Sequence, residues 1–227
     1  MEMRMKIQDL NREMALKRNC VSCPMAGRAF VGAASHNGED GHVQVLFLGL
    51  NPGVEEARIG LPFVGPSGKF LRAAIAELPA FSWAIINSIL CSSPNQNNIA
   101  NPDRARACCR GNVASLWSHF TPDMVVPCGN GASAVFEISD GITRAENLFY
   151  ISRGRNHRAK PVLVAPIQHP SALIRSGGKS SSKWANWSGR LAAIASLAQK
   201  IDSFNSPEEL LASENISWTG LFGYKGN

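Results

Sequence analysis

The chain has 227 residues, 44% of them hydrophobic and 18% charged, with 23 lysine and arginine against 17 aspartate and glutamate residues. This length and apolar content predict one large domain with a single core. The formal charge of +6 favours polyanionic partners, although a basic protein without such a partner has the same composition. No apolar run approaches the ~20 residues of a membrane span, and no signal peptide is predicted. We therefore expect a cytoplasmic protein that does not bind membranes.

The chain opens with a charged, helix-periodic segment and then alternates between two kinds of pattern. Four short apolar runs bounded by turn residues predict buried strands, and helical patterns lie between them. The alternation predicts an α/β protein, a three-layer αβα fold around a central, mainly parallel four-stranded sheet. The predicted strands are residues 43–50, 83–89, 124–128 and 161–167.

Three helices are predicted between and after these strands. Ser67 is expected to cap the first, which ends at Pro79, and Asn101 is expected to cap the second, with Pro102 at its first position. The third carries an apolar stripe from Trp184 to Ala198. We assign residues 1–202 to one domain, which includes the N-terminal helix, and residues 203–227 to a peripheral tail.

Unusual residues follow the predicted strands. In an open parallel sheet, ligands bind beyond the carboxyl ends of the strands. Gly49, Pro52 and Gly53 predict a tight exit from the first strand that brings the backbone close to a ligand. Phe63 offers a flat apolar wall, although ordinary core packing is the commoner role of such a residue. The carboxyl ends of the four predicted strands are residues 49–53, 88–93, 128–131 and 168–171.

Four of the six cysteines indicate a metal centre. Cys20 and Cys23 form a CxxC pair, Cys91 follows a strand, and Cys108 lies in the helix that begins at Pro102. Thiolates in this pattern suit an iron-sulfur cluster or a tetrahedral zinc ion, whereas an isolated CxxC pair is also typical of redox proteins. Cys109 points about 100° away from Cys108 around the helix, so we expect only one of the two to reach the metal.

With these cysteines, several motifs resemble the uracil-DNA glycosylase superfamily, and most closely its iron-sulfur family four. The resemblance extends from about Cys20 to Leu197 and depends on the order and spacing of the motifs together. They are CVSCPM, the block PGxEExxxGxPFVGxxG, NSILC at residues 87–91, Pro102 through Cys108, and HPSALIR at residues 169–175.

The resemblance implies a role for each matching residue. It implies that a [4Fe-4S] cluster is bound, and that Phe63 stacks on a flipped base beside Gly49. It further implies that Asn87 hydrogen-bonds the Watson-Crick edge of the base, that Glu56 tests its C5 position, and that His169 lies near the pyrimidine O2. The implied cluster ligands are Cys20, Cys23, Cys91 and Cys108.

The chain departs from family four at three positions of the first block and in residues 92–98, which lack the Arg-Pro start that is common after the third cysteine. Leu50 stands where Glu is usual, and Ala57 replaces a second acidic residue. Asn51 completes a GxNPG motif that is similar to those of the mismatch-specific and single-strand-selective glycosylases, in which this Asn positions the attacking water. Asn51 can orient water but cannot accept its proton. The resemblance thus implies Asn51 and His169 as the catalytic pair.

The expected activity is hydrolysis of the N-glycosidic bond of a flipped pyrimidine in DNA, uracil first, which leaves an abasic site. Two basic segments, residues 153–160 and 175–183, are predicted to contact phosphates, and Leu173 or Ile174 to fill the gap left by the flipped base. We expect a monomer with a DNA-binding surface at Ser171, Leu173, Arg175 and Lys179. The alternatives are a glycosylase for a bulky base, such as a hypermodified cytosine of phage DNA, and an iron-sulfur protein that binds nucleic acid without turnover.

Overall fold

The structure is a computed structural model. It describes residues 6–17, 20, 22–36, 41–93, 99, 101–138, 141–146, 148–153 and 160–222. The described residues form seven strands: β1 (Ala34–His36), β2 (Val45–Gly49), β3 (Trp83–Asn87), β4 (Met124–Pro127), β5 (Phe149–Arg153), β6 (Val162–Val164) and β7 (Trp218–Phe222).

The α-helices of the described residues differ widely in length. The longest carry apolar stripes that pack on the sheet, and several of the others are single turns. They are α1 (Ile7–Lys17), α2 (Val54–Ile59), α3 (Pro66–Ala76), α4 (Pro102–Phe120), α5 (Asn130–Ser133), α6 (Ile142–Ala145), α7 (Pro170–Arg175), α8 (Trp184–Lys200) and α9 (Pro207–Ser213). No described helix combines the length and the apolar character needed to cross a bilayer.

All seven strands form one sheet in the order β1-β3-β2-β4-β6-β5-β7. The predicted α/β class is confirmed, but the predicted count of four strands is wrong. The four predicted strands are the parallel centre, β3-β2-β4-β6. The prediction missed three strands: β1 and β5 are antiparallel to their inner neighbours, and β7 is parallel to β5. The central strands were predictable because they are buried on both faces and therefore apolar throughout.

Helices cover both faces of the sheet, which gives three layers. One core cluster contains Phe47, Ile85 and Val126 of the strands with apolar residues of α3, α7, α8 and α9. The other contains Leu46 and Ile86 with apolar residues of α1, α4, α5 and α6. Successive residues of a strand point to opposite faces, so one apolar strand supplies both clusters.

Two helix starts can be compared with their predictions. The Asn101 side chain accepts a hydrogen bond from the N–H of Arg104 ahead of Pro102, which confirms the predicted cap of α4. The cap predicted at Ser67 is wrong by two residues. Gly65 precedes α3 and Pro66 occupies its first position, because proline has no N–H to satisfy there.

The segment predicted to be a tail contains two of these elements. Leu210 and Leu211 of α9 are fully buried in the core cluster on the α8 face. Strand β7 pairs along the whole length of β5 and extends the sheet at that edge. In its described part, the segment therefore packs against the rest of the fold.

Candidate active site

A cleft of about 420 Å³ opens at the carboxyl ends of the parallel strands. The β2–α2 connection, the loop before α3, the end of β3 and the residue before α7 contribute to its walls. Five residues singled out from the sequence meet there, although they are distant in the chain: Asn51, Glu56, Phe63, Asn87 and His169. Parallel strands end at the same edge of the sheet, which is why they converge.

Gly49 makes room for two of these side chains. It lies directly opposite Asn87 in the parallel register of β2 and β3. A Cβ atom at position 49 would lie 2.2 Å from Oδ1 of Asn87 and 2.7 Å from Cε2 of Phe63. The amide and the ring therefore meet over a backbone without a side chain, and any residue larger than glycine would displace one of them.

The amide of Asn87 is buried without a partner in the described structure. Asn87 is only 1% exposed, yet its Nδ2 and Oδ1 atoms make no hydrogen bond. An unsatisfied buried amide lowers the stability of the folded state, and in native proteins such groups are usually hydrogen-bonded to a ligand or to water. The cleft thus presents one donor and one acceptor to an incoming molecule.

Asn51 also has a free acceptor. Its Nδ2 donates to the carbonyl oxygen of Pro52 at 3.0 Å, while its Oδ1 is buried and has no partner among the described residues. This bond to the neighbouring carbonyl fixes the side chain and leaves Oδ1 available to accept a hydrogen bond from water. Asn51 can hold a water molecule, although it cannot deprotonate it at neutral pH.

Glu56 is bonded to the backbone around the cleft. Its Oε1 accepts from the N–H groups of Val64 at 2.9 Å and Gly65 at 2.8 Å, and its Oε2 accepts from Gly53 at 3.1 Å. The carboxylate therefore joins the start of α2 to the loop before α3. Its neighbour Glu55 also lines the cleft and pairs with the exposed Arg58.

His169 is held in one orientation at the start of α7. Its Nδ1 accepts the backbone N–H of Ser171 at 3.2 Å and lies 2.8 Å from the Ser171 hydroxyl. A backbone N–H can only donate, so Nδ1 is unprotonated and the proton of the neutral ring lies on Nε2. Burial, with a smaller contribution from Arg175, lowers the pKa of His169. A neutral imidazole with an Nε2–H donor therefore lines the cleft, and its ring lies 6.1 Å from that of Phe63.

The predicted DNA-binding residues of α7 and the following turn differ in exposure. Leu173 is 0% exposed and belongs to the core, which corrects the expectation that it contacts DNA, whereas Ile174 is 37% exposed. Arg175 is exposed and has no hydrogen bond or ion pair to another described residue. Lys179 pairs with Glu77 and lies over the ring of Trp184. Ile174 and Arg175 are therefore the groups that can meet a ligand.

The two described residues of the first basic segment, Arg153 and Lys160, do not flank the cleft. Arg153 ends β5 and pairs with Glu208, while Lys160 precedes β6 and pairs with the buried Asp123. Because β5 and β6 are antiparallel, Arg153 and Lys160 lie at the amino edge of the parallel strands, opposite the cleft. Arg155, His157 and Arg158 lie outside the described residues.

The four predicted ligand cysteines gather on the α4 side of the sheet. Residues 29–31, just after the CxxC pair, run antiparallel to residues 90–92, through a bridge between Phe30 and Cys91. Burial raises the pKa of Cys108, and the nearby thiols of Cys23 and Cys20 raise it further. Cys109 is buried in the same cluster as Cys23 and Cys91.

One further group of potential metal ligands lies at the amino edge of the sheet. His42, Asp123 and Asp202 bring their ligand atoms within 4.8 Å of one another. Asp123 is already paired with both His42 and Lys160, and Asp202 accepts from Gln44. The sequence gives no motif for this group, whose two carboxylates accept hydrogen bonds from His42, Lys160 and Gln44.

The fold and the site define an α/β protein whose cleft combines an aromatic wall with unpaired amide groups. The family described as the uracil DNA glycosylase superfamily matches residues 35–188, which is more than half of the chain. The chain belongs to the uracil DNA glycosylase superfamily. The resemblance found in the motifs is thereby confirmed.

Several type-4 uracil-DNA glycosylases are similar to this chain. That of Thermotoga maritima is 27% identical over 165 residues, which cover 70% of this chain and 79% of the relative. That of Pyrobaculum aerophilum is 27% identical over 177 residues, covering 74% and 85%. That of Archaeoglobus fulgidus is 28% identical over 176 residues, covering 74% and 83%. The similarity thus extends over most of each protein.

Proposed function

We propose that this protein is a monofunctional DNA glycosylase that hydrolyses the N-glycosidic bond of a flipped-out uracil and leaves an abasic site. The observation that carries the proposal is the buried, unpaired amide of Asn87 beside Phe63 in a cleft of a uracil DNA glycosylase superfamily member. An enzyme that acts on a base must extrude it from the helix and recover the unstacking energy in such a pocket. The names of the similar type-4 enzymes support uracil as the substrate.

Uracil complements the groups in the cleft. Its O4 accepts and its N3–H donates a hydrogen bond, which matches Nδ2 and Oδ1 of Asn87. The ring of Phe63 supplies a stacking face. In other nucleic-acid-binding proteins, replacing such an aromatic residue by alanine costs about 1–3 kcal/mol of binding free energy per base. Gly49 lets the base approach the strand end. We therefore assign Gly49, Phe63 and Asn87 to base binding. Glu56, which the resemblance assigns to the C5 position, holds the loop around them.

The chemistry divides between water and the leaving base. Asn51 would hold the attacking water through Oδ1, and Nε2–H of His169 would donate a hydrogen bond to the pyrimidine O2 as negative charge develops there. The C1′–N1 bond breaks, the water oxygen bonds to C1′, and the proton that the water loses passes to the departing uracil anion or to solvent. Donors aimed at a developing charge lower barriers by about 3–4 kcal/mol each. No step requires the protein to form a covalent bond with the DNA, since the proposed site contains no lysine nucleophile.

We further propose that Cys20, Cys23, Cys91 and Cys108 hold a [4Fe-4S] cluster. Cys20, Cys23 and Cys108 are close enough to affect one another electrostatically, and Cys91 packs in the same core cluster. Four thiolates brought together in this way suit an iron-sulfur cluster, which would join the CxxC loop, the end of β3 and α4.

The protein purified without oxygen should be brown and contain roughly four irons per chain. The reason is that each of the four thiolates binds one iron of the cluster. Iron and zinc analysis of the wild type and of a Cys108→Ser variant tests the assignment, with Cys128→Ser as control because Cys128 is buried in the opposite core cluster. Stoichiometric zinc without iron, or equal iron in Cys108→Ser, would contradict it.

Replacing Arg175 by alanine should weaken binding to all DNA duplexes alike. Loss of one phosphate contact should reduce the slope of log affinity against log salt by about one unit, without a change in base preference. Salt titrations of binding measure this, with Arg12→Ala on α1 as control, since α1 packs on the opposite face of the sheet. An unchanged salt slope for Arg175→Ala would show that Arg175 does not contact DNA phosphates.

Excision assays test the proposed activity directly. Purified protein should release uracil from single- or double-stranded oligonucleotides and leave alkali-labile abasic sites, while thymine-containing controls remain intact. Cleavage of the DNA strand without alkali would contradict a monofunctional enzyme. Complete absence of base release on every substrate would favour a protein that binds nucleic acid without turnover.

A second candidate function follows from the departures from family four at Leu50, Asn51 and Ala57. A glycosylase for a bulky base, such as a hypermodified cytosine of phage DNA, would use a pocket altered at these positions. Parallel assays on uracil and glucosylated hydroxymethylcytosine discriminate between the two functions. DNA is the proposed partner in both, and we propose a cytoplasmic monomer.

A further inference from the structure

Phe63 has an unusual backbone conformation for a bulky residue. Its φ angle is 55°, in the left-handed region that glycine and asparagine favour. The residue is nevertheless buried, and its ring forms part of the cleft wall. A disfavoured conformation persists only when its surroundings enforce it, and such residues cluster at functional sites.

One set of contacts restrains the loop on the C-terminal side of Phe63. Both N–H groups that follow it, those of Val64 and Gly65, donate to Oε1 of Glu56. The other oxygen of Glu56 is held by the N–H of Gly53. Hydrogen bonds to a carboxylate are stronger than neutral ones, so Glu56 is a firm anchor for this part of the loop.

Arg72 of α3 restrains the loop through its carbonyl groups. Its Nε donates to the carbonyl oxygen of Phe63 and its Nη2 to that of Pro62, both at 3.3 Å. The guanidinium carbon lies 5.1 Å from the ring centroid of Trp83, a cation–π contact that helps to hold the side chain in place. At position 68 a Cβ atom would lie 1.8 Å from the Phe63 carbonyl oxygen, so the close approach of this carbonyl to α3 requires Gly68.

We propose that Arg72 and Glu56 are positioning residues that hold Phe63 in its left-handed conformation and so preset the stacking wall of the base pocket. This inference rests on the proposed function, because it assigns the ring of Phe63 to the flipped base. Arg72 does not line the cleft itself, so it acts through the loop. Glu56 gains a role in addition to any contact with the C5 position.

The geometry of the ring explains why this restraint matters for recognition. The ring edge of Phe63 approaches the α-carbon of Gly49, where the amide of Asn87 also lies. If the backbone of residue 63 relaxed, the ring would leave this position and the base would lose its stacking partner. A pocket that is fixed in advance avoids the ordering cost at the moment of binding.

Arg72→Met tests the role of Arg72 because it keeps an apolar chain against Trp83 but removes both donors. Affinity should be measured for two duplexes, one with 2′-fluoro-deoxyuridine, whose glycosidic bond resists hydrolysis, and one with a tetrahydrofuran abasic analogue. Arg72→Met should bind the first about 3- to 10-fold more weakly, and the second within twofold of wild type. Arg58→Met, which removes an exposed arginine of α2, is the matched control and should change neither affinity.

A double-mutant cycle with Phe63→Ala separates positioning from general stability. If Arg72 acts through the ring, Arg72→Met should cause no further loss in the Phe63→Ala background. Additive losses, or equal weakening for both duplexes, would overturn the inference. Arg72→Lys should give an intermediate loss, and it replaces Arg72→Met in the cycle if that variant does not fold.

The wild type distinguishes failure of this inference from failure of the proposed function. A wild type that excises uracil, with an Arg72→Met variant that keeps the wild-type ratio of the two affinities, overturns the positioning role alone. A wild type that neither excises uracil nor prefers the duplex with the fluorinated nucleotide overturns both.

Discussion

Replacing Asn51 by alanine is expected to lower the single-turnover rate of uracil excision by about 10²- to 10⁴-fold, with little change in DNA affinity. The reason is that Oδ1 of Asn51 is the free acceptor for the attacking water, while Nδ2 is already bonded to the carbonyl of Pro52. Single-turnover kinetics with excess enzyme, together with binding to the fluorinated duplex, measure the two quantities separately.

Asn51→Asp is the matched control, since it retains an oxygen acceptor of nearly the same shape. It should lose less activity than Asn51→Ala. Undiminished excision by Asn51→Ala would show that another residue positions the attacking water. Glu55 would then be the first candidate, because it pairs only with an exposed arginine of α2, whereas the oxygens of Glu56 are bonded to three backbone N–H groups.

Replacing His169 by alanine is expected to lower the excision rate by about 10²- to 10³-fold, the usual cost of one donor to a developing negative charge. Ser171→Ala should have a smaller effect. It removes the hydroxyl beside Nδ1, while the backbone N–H of residue 171 still fixes the ring. Single-turnover rates for the two variants should therefore be ordered, and an equal loss in both would mean that the hydroxyl itself takes part in the chemistry.

The pH dependence of the wild-type rate identifies the form of His169 that acts. Burial lowers the pKa of His169 below its ordinary value of 6.5, so the neutral ring predominates at neutral and alkaline pH. If the neutral ring donates through Nε2–H, the rate should be constant between about pH 7 and 8. If the imidazolium were required, its population and the rate would fall about tenfold for each pH unit in that range.

The parallel centre of the sheet could be predicted from the sequence, and its edges could not. Strands β2, β3 and β4 are buried at every position and therefore appear as continuous apolar runs. Strand β1 has three residues, two of them polar, and β7 contains a glycine. Short or mixed segments such as these carry no periodicity. Strand β5 is buried at four of its five positions, but its apolar run is only three residues long before Ser152 and Arg153.

The residues around the cleft were predictable where they stand in motifs at strand ends. Asn51, Asn87 and His169 all line the cleft, although their chemical roles remain predictions. Leu173 is different, since helix α7 turns its side chain into the core and leaves Ile174 exposed, and a sequence cannot say which way a short helix is rotated. Arg72 has no motif, because its partners are backbone carbonyls that any sequence provides.

Helix α2 suggests how the substrate range of this fold can change during evolution or by engineering. None of its residues is buried, and Val54, which is exposed, lines the cleft. A substitution at Val54 would change this wall of the cleft without disturbing the core or Glu56, which holds the helix to the loop. This wall can therefore vary while the floor at Gly49 and Asn87 stays fixed, which makes position 54 a site at which base preference could be altered by a single surface mutation.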